Sequence, residues 1–440
     1  MDCGCSICQN NKQFDLPQEI IEAARKCDLV LFCGAGISTE SHHVLPFTLY
    51  DSIKNELNIQ DEDISFSQLM QLYCNKPDGR KKLLIKIKER FDYINSFPEI
   101  EGCATAFHQE LSTIYQIRTI ITTNWDTYFE EYCGATPITI PADYAFWDES
   151  SRYVLKIHGS INNLSTIIAT TTDYKDRFTV FQNGIIGATL KHILATKTVV
   201  FIGYSFRDED FNQIIKYINN EMGDIYPHIY VVTLDEELSC RFNYKNATFI
   251  VTSGTYFLHQ LRLALIDFGE IVNNDILPKL SYVLDEARHW HKQVSSLDIH
   301  TYPDTIFTLS YQDGVIHALE RCLKNYKTGE YNHPCQVRRL AQRYQIIIQE
   351  SHQKKNFWDE AYYEGYLNGL ILIDNLEKNN NVMDAFPFLY LPNSKVPLSS
   401  YEIYMRELEH LSGNKGQYAA FARKLVKNMK LGLIVHHPPY

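Results

Sequence analysis

Six short apolar runs constrain this chain more than any other feature: Asp28 to Cys33, Thr119 to Thr122, Tyr153 to Ile157, Thr198 to Ile202, His228 to Thr233 and Ala247 to Val251. Most are rich in Val and Ile and do not alternate apolar with polar residues. A strand with one wet face alternates, whereas a strand covered on both faces does not. Helical spacing appears around them, from Leu16 to Lys26 behind Pro17, from Cys103 to Tyr115 and from Asp208 to Asn220. Strands alternating with helices predict an α/β fold with a doubly wound parallel sheet. In such sheets ligands bind at the carboxyl ends of the strands.

After about Gly269 the texture changes to long helical patterns: Gly314 to Asn325, Gln336 to Glu350, Asp359 to Leu376, Tyr401 to Leu411 and, beyond a turn at Ser412 to Lys415, Gln417 to Met429. Loop signals fall at Asn379 to Asn381 and Pro387 to Pro397, with no internal repeat or low-complexity tract. A chain of 440 residues exceeds one ordinary core. The expected organisation is a tail over 1–13, an α/β domain over 14–269 and a mostly helical domain over 270–440 that serves assembly or partner binding.

Composition narrows the function classes. With 45% hydrophobic and 22% charged residues the chain is expected to pack a core. A net charge of -11 argues against direct nucleic-acid binding by electrostatics and against a membrane surface. The sequence shows no basic leader and no apolar run of about 18 residues, so a cytoplasmic location is expected. The eleven cysteines are odd in number and mostly isolated, which suits reduced thiols. Cys3, Cys5 and Cys8 lie close enough to seat a metal with a fourth ligand, but their polar tail and the lack of a second pair favour a frayed, unliganded segment.

Chemistry begins at Gly34-Ala35-Gly36-Ile37-Ser38, directly after the first strand. Glycines there permit close backbone approach, and N–H groups at the start of a following helix favour a pyrophosphate. The signal is weak alone. Glu40 to His43 replace the third glycine of the dinucleotide fingerprint and the next strand lacks the expected acidic end, so an ordinary dehydrogenase fits poorly. Three more segments stand at the carboxyl ends of other strands: Thr122-Thr123-Asn124-Trp125-Asp126, Lys156-Ile157-His158-Gly159-Ser160 and Gly203-Tyr204-Ser205-Phe206. Singly, each has a plain reading. His158 suits a structural histidine, Asn124 a helix cap, and Asp126 a carboxylate at a helix start. His108, Trp147 and Trp290 read as core.

Taken together and in this order, the four segments resemble the sirtuin family over roughly residues 14 to 265. The resemblance implies a Rossmann-like domain that uses NAD. It places Gly34, Ala35, Gly36 and Ser38 along the NAD phosphates and ribose, and Gly203 and Ser205 on the cofactor from a neighbouring strand end. Asn124 and Asp126 match the pair beside the nicotinamide ribose and carboxamide, and His158 matches the catalytic histidine that works on the ribose hydroxyls. Asp235 is placed to take an adenosine ribose hydroxyl. Asn, Asp and His suit these tasks as a water-orienting amide, an acceptor and a proton exchanger.

Departures from the family sharpen the expectation. Protein-deacylating sirtuins carry two cysteine pairs for a structural zinc, and no cysteine lies between Gly159 and Gly203, so no zinc is expected there. The family's proline-aspartate-phenylalanine-arginine stretch is reduced to Leu45-Pro46-Phe47, leaving Phe47 to cover the nicotinamide site. Arg207-Asp208-Glu209-Asp210 stands where deacylases bind a peptide strand. These losses touch the acceptor peptide and spare the NAD site, so hydrolysis of the nicotinamide–ribose bond by water ranks above deacylation, with a non-catalytic nucleotide-binding scaffold as a third reading. The layout looks like bacterial antiphage proteins that deplete NAD. That likeness implies abortive infection by subunits that act alone or with a HerA-type ATPase. Unrestrained loss of NAD would kill the cell, so the helical domain, with its amphipathic helices and abundant Tyr, is expected to hold a homo-oligomer whose weak activity such an ATPase or a phage-derived activator raises.

Overall fold

The computed structural model describes residues 13–41, 44–60, 63–147, 151–204, 228–241, 246–272, 276–325, 333–376, 386–392, 394–412 and 416–428, with Ile7, Asn11, Glu330 and Tyr331. Cys3, Cys5, Cys8, Ser205, the Arg207 to Asp210 run, the expected helix Asp208 to Asn220 and the loop Asn379 to Asn381 lie outside the described residues. The chain divides into two units, Met1–Phe268 and Gly269–Tyr440.

In the first unit all pairings of seven strands are parallel. They are β1 (Leu29–Cys33), β2 (Thr119–Thr122), β3 (Thr136–Ile138), β4 (Tyr153–Lys156), β5 (Thr198–Ile202), β6 (Ile229–Thr233) and β7 (Ala247–Val251), in the spatial order β3-β4-β2-β1-β5-β6-β7. The chain lays β2 to β4 on one side of β1 and β5 to β7 on the other, so its winding reverses between β1 and β5. Such a reversal opens a crevice at the strands' carboxyl ends. All five residues of β1 are buried, as its unbroken apolar run requires. β3 was not expected: it is three residues long, holds Pro137 and pairs only with β4. At an edge the missing proline N–H costs no ladder bond.

Ten helices are described in this unit: α1 (Gln18–Arg25), α2 (Leu49–Leu57), α3 (Phe66–Cys74), α4 (Gly79–Asn95), α5 (Pro98–Ser112), α6 (Tyr128–Cys133), α7 (Thr171–Asn183), α8 (Ile185–Thr196), α9 (Leu238–Arg241) and α10 (Gly254–Asp267). Val30, Phe32, Leu155 and Phe201 on one sheet face pack with Leu190 and Leu194 of α8. Helices α2 to α4 build a small core of their own, where Ile53, Met70 and Ile87 meet Ile167 and Ala169. Capping boxes start two of them, Thr48 with Asp51 before α2 and Ser65 with Gln68 before α3. Trp147 stacks on Tyr144 at 5.5 Å and meets Tyr153 at 3.6 Å, a packing role as expected.

The second unit is helical among its described residues: α11 (Ile276–Ser295), α12 (Thr305–Asn325), α13 (Pro334–Gln353), α14 (Phe357–Asn375), α15 (Tyr401–Ser412) and α16 (Gln417–Asn428). α12 and α14 pack backbone against backbone. A Cβ on Gly314 would stand 2.0 Å from the Tyr362 carbonyl oxygen, and one on Gly365 would stand 1.9 Å from that of Tyr311. Trp290 joins a side cluster with Val294, Tyr401 and Leu408, again as packing. Among the described residues no helix is long and apolar enough to cross a membrane.

Candidate active site

The four segments singled out in the sequence end four strands that are neighbours in the sheet, β4-β2-β1-β5. Hydrogen bonds past the strand ends lace them together. Ile157 N donates to Thr122 O at 3.0 Å and Ile161 N to Trp125 O at 2.8 Å, joining the His158 and Asn124 loops. Thr123 N donates to Cys33 O at 3.2 Å, and Gly34 N to Ile202 O at 2.9 Å. The Thr122 hydroxyl donates to Cys33 O and accepts from Asn124 N, each at 3.0 Å, which sets the start of the Asn124 loop.

At the reversal point the glycines answer to backbone proximity. Gly36 N donates to Gly203 O at 3.1 Å, and a Cβ on Gly34 would stand 2.4 Å from that same oxygen. Gly203 has φ +64°, in the left-handed region that favours glycine. A glycine turn of this kind predicts a helix start directly behind it. The structure instead shows one 3-10 turn, Ala35–Ile37, with α2 beginning only at Leu49. No described α-helix therefore points its N-terminus from Ser38, and any cradle for phosphates rests on the turn's own backbone. Ala35 is half-buried and Gly36 exposed at this edge.

Ser38 is buried, and its hydroxyl donates to Asp126 Oδ2 at 3.0 Å. Asn124 Nδ2 donates to the same Ser38 oxygen at 3.3 Å. Three residues assigned to the site thus converge across the ends of β1 and β2. Asn124 Oδ1 is buried without a protein partner among the described residues, so its acceptor capacity is unused. Neither Asn124 nor Asp126 is simply a cap: α6 begins at Tyr128 behind Thr127, and the Tyr128 N to Asp126 Oδ1 contact is long, 3.4 Å.

Beneath this trio lies a group the sequence reading gave no role. Lys156, wholly buried at the end of β4, donates to the Asp126 main-chain carbonyl and to Glu130 Oε1, the latter at 2.9 Å. Burial pushes the Asp126 and Glu130 carboxyls above the usual carboxylate range, while the Lys156 ammonium pulls both back down. A lysine closing an otherwise apolar strand was the sequence signal for it.

His158 is buried at the next strand end, its ring edge-on to Tyr174 at 5.1 Å. Gly159 has φ +88°, and a Cβ there would stand 2.1 Å from the Thr166 carbonyl oxygen. Phe47 is 49% exposed, with the Arg90 guanidinium 5.7 Å from its ring centre. Arg90 also donates to the carbonyls of Phe47 and Thr39 and pairs with Glu40 at 2.9 Å, tying that loop to α4. Asp235 is exposed at the end of β6, where its carboxylate accepts from Glu237 N at 3.0 Å. His108, by contrast, is enclosed by Phe107, Tyr128 and Phe129. Burial lowers its pKa to about 3, which suits a neutral core residue. Among the described residues no three His, Cys, Asp or Glu side chains form a metal site.

A doubly wound parallel sheet with these four strand ends side by side fits the α/β, Rossmann-like architecture of a sirtuin-like domain. Residues 118–251 match the family model described as SIR2-like domain. Defense-associated sirtuin 2 of Bacillus subtilis is 25% identical over 293 residues, 63% of this chain and 27% of that protein. The NAD(+) hydrolase ThsA of Cytobacillus dafuensis is 29% identical over 217 residues, 47% of this chain and 41% of that protein. The protein of the same name from Bacillus cereus (strain MSX-D12) is 23% identical over 310 residues, 65% of this chain and 62% of that protein. The chain spans less than two thirds of the length of each.

Proposed function

We propose that the protein is an NAD glycohydrolase of bacterial antiphage defence, cleaving NAD to nicotinamide and ADP-ribose. The observation that carries this reading is the convergence of Ser38, Asn124 and Asp126 across the carboxyl ends of β1 and β2, next to the sheet's reversal point, with an unused amide oxygen on Asn124. Gly34, Ala35, Gly36, Ser38, Gly203 and Ser205 hold the dinucleotide, Asp235 takes the adenosine ribose and Phe47 covers the nicotinamide. Asn124 orients water toward the anomeric carbon. The water oxygen bonds that carbon as its bond to the ring nitrogen breaks, neutral nicotinamide leaves, and the released proton passes through His158. Positive charge developing on the ribose is met by the fixed dipoles and the carboxylate around it. The relatives, a defence-associated sirtuin and NAD(+) hydrolases by name, support the same chemistry and setting.

The test is incubation of the purified full chain with NAD, with and without an acetylated peptide, followed by product identification. Nicotinamide and ADP-ribose without peptide are expected. Peptide-dependent deacetylation would replace this reading by a deacylase, and intact bound NAD by a scaffold. The proposal extends to a cytoplasmic homo-oligomer assembled through residues 270–440, without a structural zinc, and stimulated by a HerA-type ATPase or a phage component. Light scattering of the full chain, alone and with such an ATPase, checks that part.

A further inference from the structure

The hydrogen bonds around Asn124 have a direction, and the direction has a source. An ionised carboxylate only accepts. Facing one, the Ser38 hydroxyl spends its single proton on Asp126, so toward Asn124 it offers only a lone pair. Asn124 then presents its NH2 to Ser38, and its carbonyl oxygen Oδ1 turns the other way, buried and without a protein partner among the described residues. A protonated Asp126 permits the reverse. Its O–H donates to Ser38, Ser38 donates onward, and Asn124 turns its amide over to accept. The water-orienting oxygen would then be spent on Ser38, and an NH2 would face the ribose.

Burial raises the Asp126 carboxyl, and the Lys156 ammonium opposes that most strongly, ahead of the Ser38 hydroxyl and the main-chain N–H groups. Asp126 is 2% exposed, and its charge pushes the neighbouring carboxyl of Glu130 up. Lys156 is wholly buried, and a buried cation is expensive unless it is paired and hydrogen-bonded. Its ammonium is anchored on both sides, by the Asp126 main-chain carbonyl and by Glu130 Oε1. We propose that Lys156 is a positioning residue that sets the polarity of the Asp126–Ser38–Asn124 hydrogen-bond chain, and thereby decides which end of the Asn124 amide faces the substrate. This rests on the glycohydrolase reading above. With its ammonium buried on these two acceptors, Lys156 acts through Asp126.

The experiment measures nicotinamide release by the full chain over pH 6 to 9, with NAD affinity measured separately by calorimetry. Lys156→Met is expected to lower kcat by about 10²-fold at pH 6.5, the lower end of what one acid–base or orienting group supplies, while NAD affinity changes by less than about threefold. Raising the pH restores part of the loss, because Asp126 ionises without help at higher pH. The other titratable groups facing this cluster are Cys33 on β1, His108 on α5, and Tyr128, Glu130 and Cys133 on α6. Burial moves His108 down to about 3 and lifts the thiols and the Tyr128 phenol, so within this pH range Glu130 alone can imitate Asp126. Adding Glu130→Gln to Lys156→Met removes that imitation, and the recovery with pH persists. A double-mutant cycle reads the chain directly: in a Ser38→Ala background Lys156→Met costs less than about threefold, since the relay is already cut.

Lys156→Met with wild-type kcat and a flat pH profile, or a full further loss in the Ser38→Ala background, overturns the proposal. So does failure of both Lys156→Met and Lys156→Gln to fold, which would make Lys156 a folding residue. Absence of nicotinamide release from the wild type itself overturns the glycohydrolase reading instead.

Discussion

Ser38 at the turn after β1 donates its hydroxyl to Asp126 beyond β2 across 3.0 Å, joining two residues that lie 88 positions apart. Asn124 shares that oxygen, and His158 ends the next strand over. Asn124→Ala and His158→Ala are each expected to lower nicotinamide release by about 10²-fold or more. The side-chain hydrogen bond lost with Asn124 is worth about 1 kcal/mol, so thermal unfolding should move only slightly. Turnover at the wild-type level in either variant removes that residue from the mechanism.

The contact between the Gly34 turn and Gly203 makes a graded stability prediction. Gly34→Ala drives a Cβ to 2.4 Å from a backbone oxygen and is expected to cost about 1–3 kcal/mol, whereas Gly36→Ala, at 3.0 Å, costs less. Gly102, inside α5 with nothing within 4 Å of an added Cβ, is the control. Gly102→Ala should stabilise by about 0.5–1 kcal/mol. Urea unfolding of the three variants checks the order, and equal midpoints for Gly34→Ala and wild type would refute it.

Arg152 predicts a larger loss. Its guanidinium is buried and donates to three main-chain carbonyls, Ile117 O at 2.8 Å, Cys133 O at 3.2 Å and Ile114 O at 2.6 Å. Arg152→Met strips donors from all three and should destabilise the first unit by about 3–5 kcal/mol. Arg152→Lys should recover little, because an ammonium does not reproduce the planar fork. Differential scanning calorimetry of both variants measures this, and a Lys variant as stable as wild type would contradict it.

His108 sets part of the acid limit. Its pKa is near 3 folded and about 6.5 unfolded, so below pH 6.5 the unfolded chain binds a proton that the native one refuses. Native stability therefore falls as pH drops from 6.5 toward 3, by about 1.4 kcal/mol per pH unit from this residue alone. His108→Phe, among Phe107, Tyr128 and Phe129, should flatten that slope. Unfolding midpoints from pH 7.5 to 5 that decline equally in both proteins would exclude the assignment.

Sheet strands were legible in the sequence because burial on both faces leaves a local signature of Val and Ile runs, as in Thr198–Ile202. Pro137 hid β3, and α2 and α3 escaped notice although Thr48 with Asp51 and Ser65 with Gln68 stand at their starts. Their apolar faces cover only a small core shared with Ile167 and Ala169, so the periodic signal was thin. At the site, residue types and order were readable, but orientation was not. Ser38 reads as a residue lining the cofactor, yet its hydroxyl turns inward to Asp126 because the ends of β1 and β2 lie side by side. Lys156 finds Glu130 26 positions away, a pairing that no local pattern encodes.

The seam between α12 and α14 has a mechanical consequence for the helical unit. Where Gly314 meets the Tyr362 carbonyl and Gly365 that of Tyr311, no side chain stands between the two helices to rotate and absorb a displacement. Prising the pair apart would open a void at these crossings, and Gly369 sits close against Ala318. The two helices are thus keyed together at these crossings and are expected to move as one body.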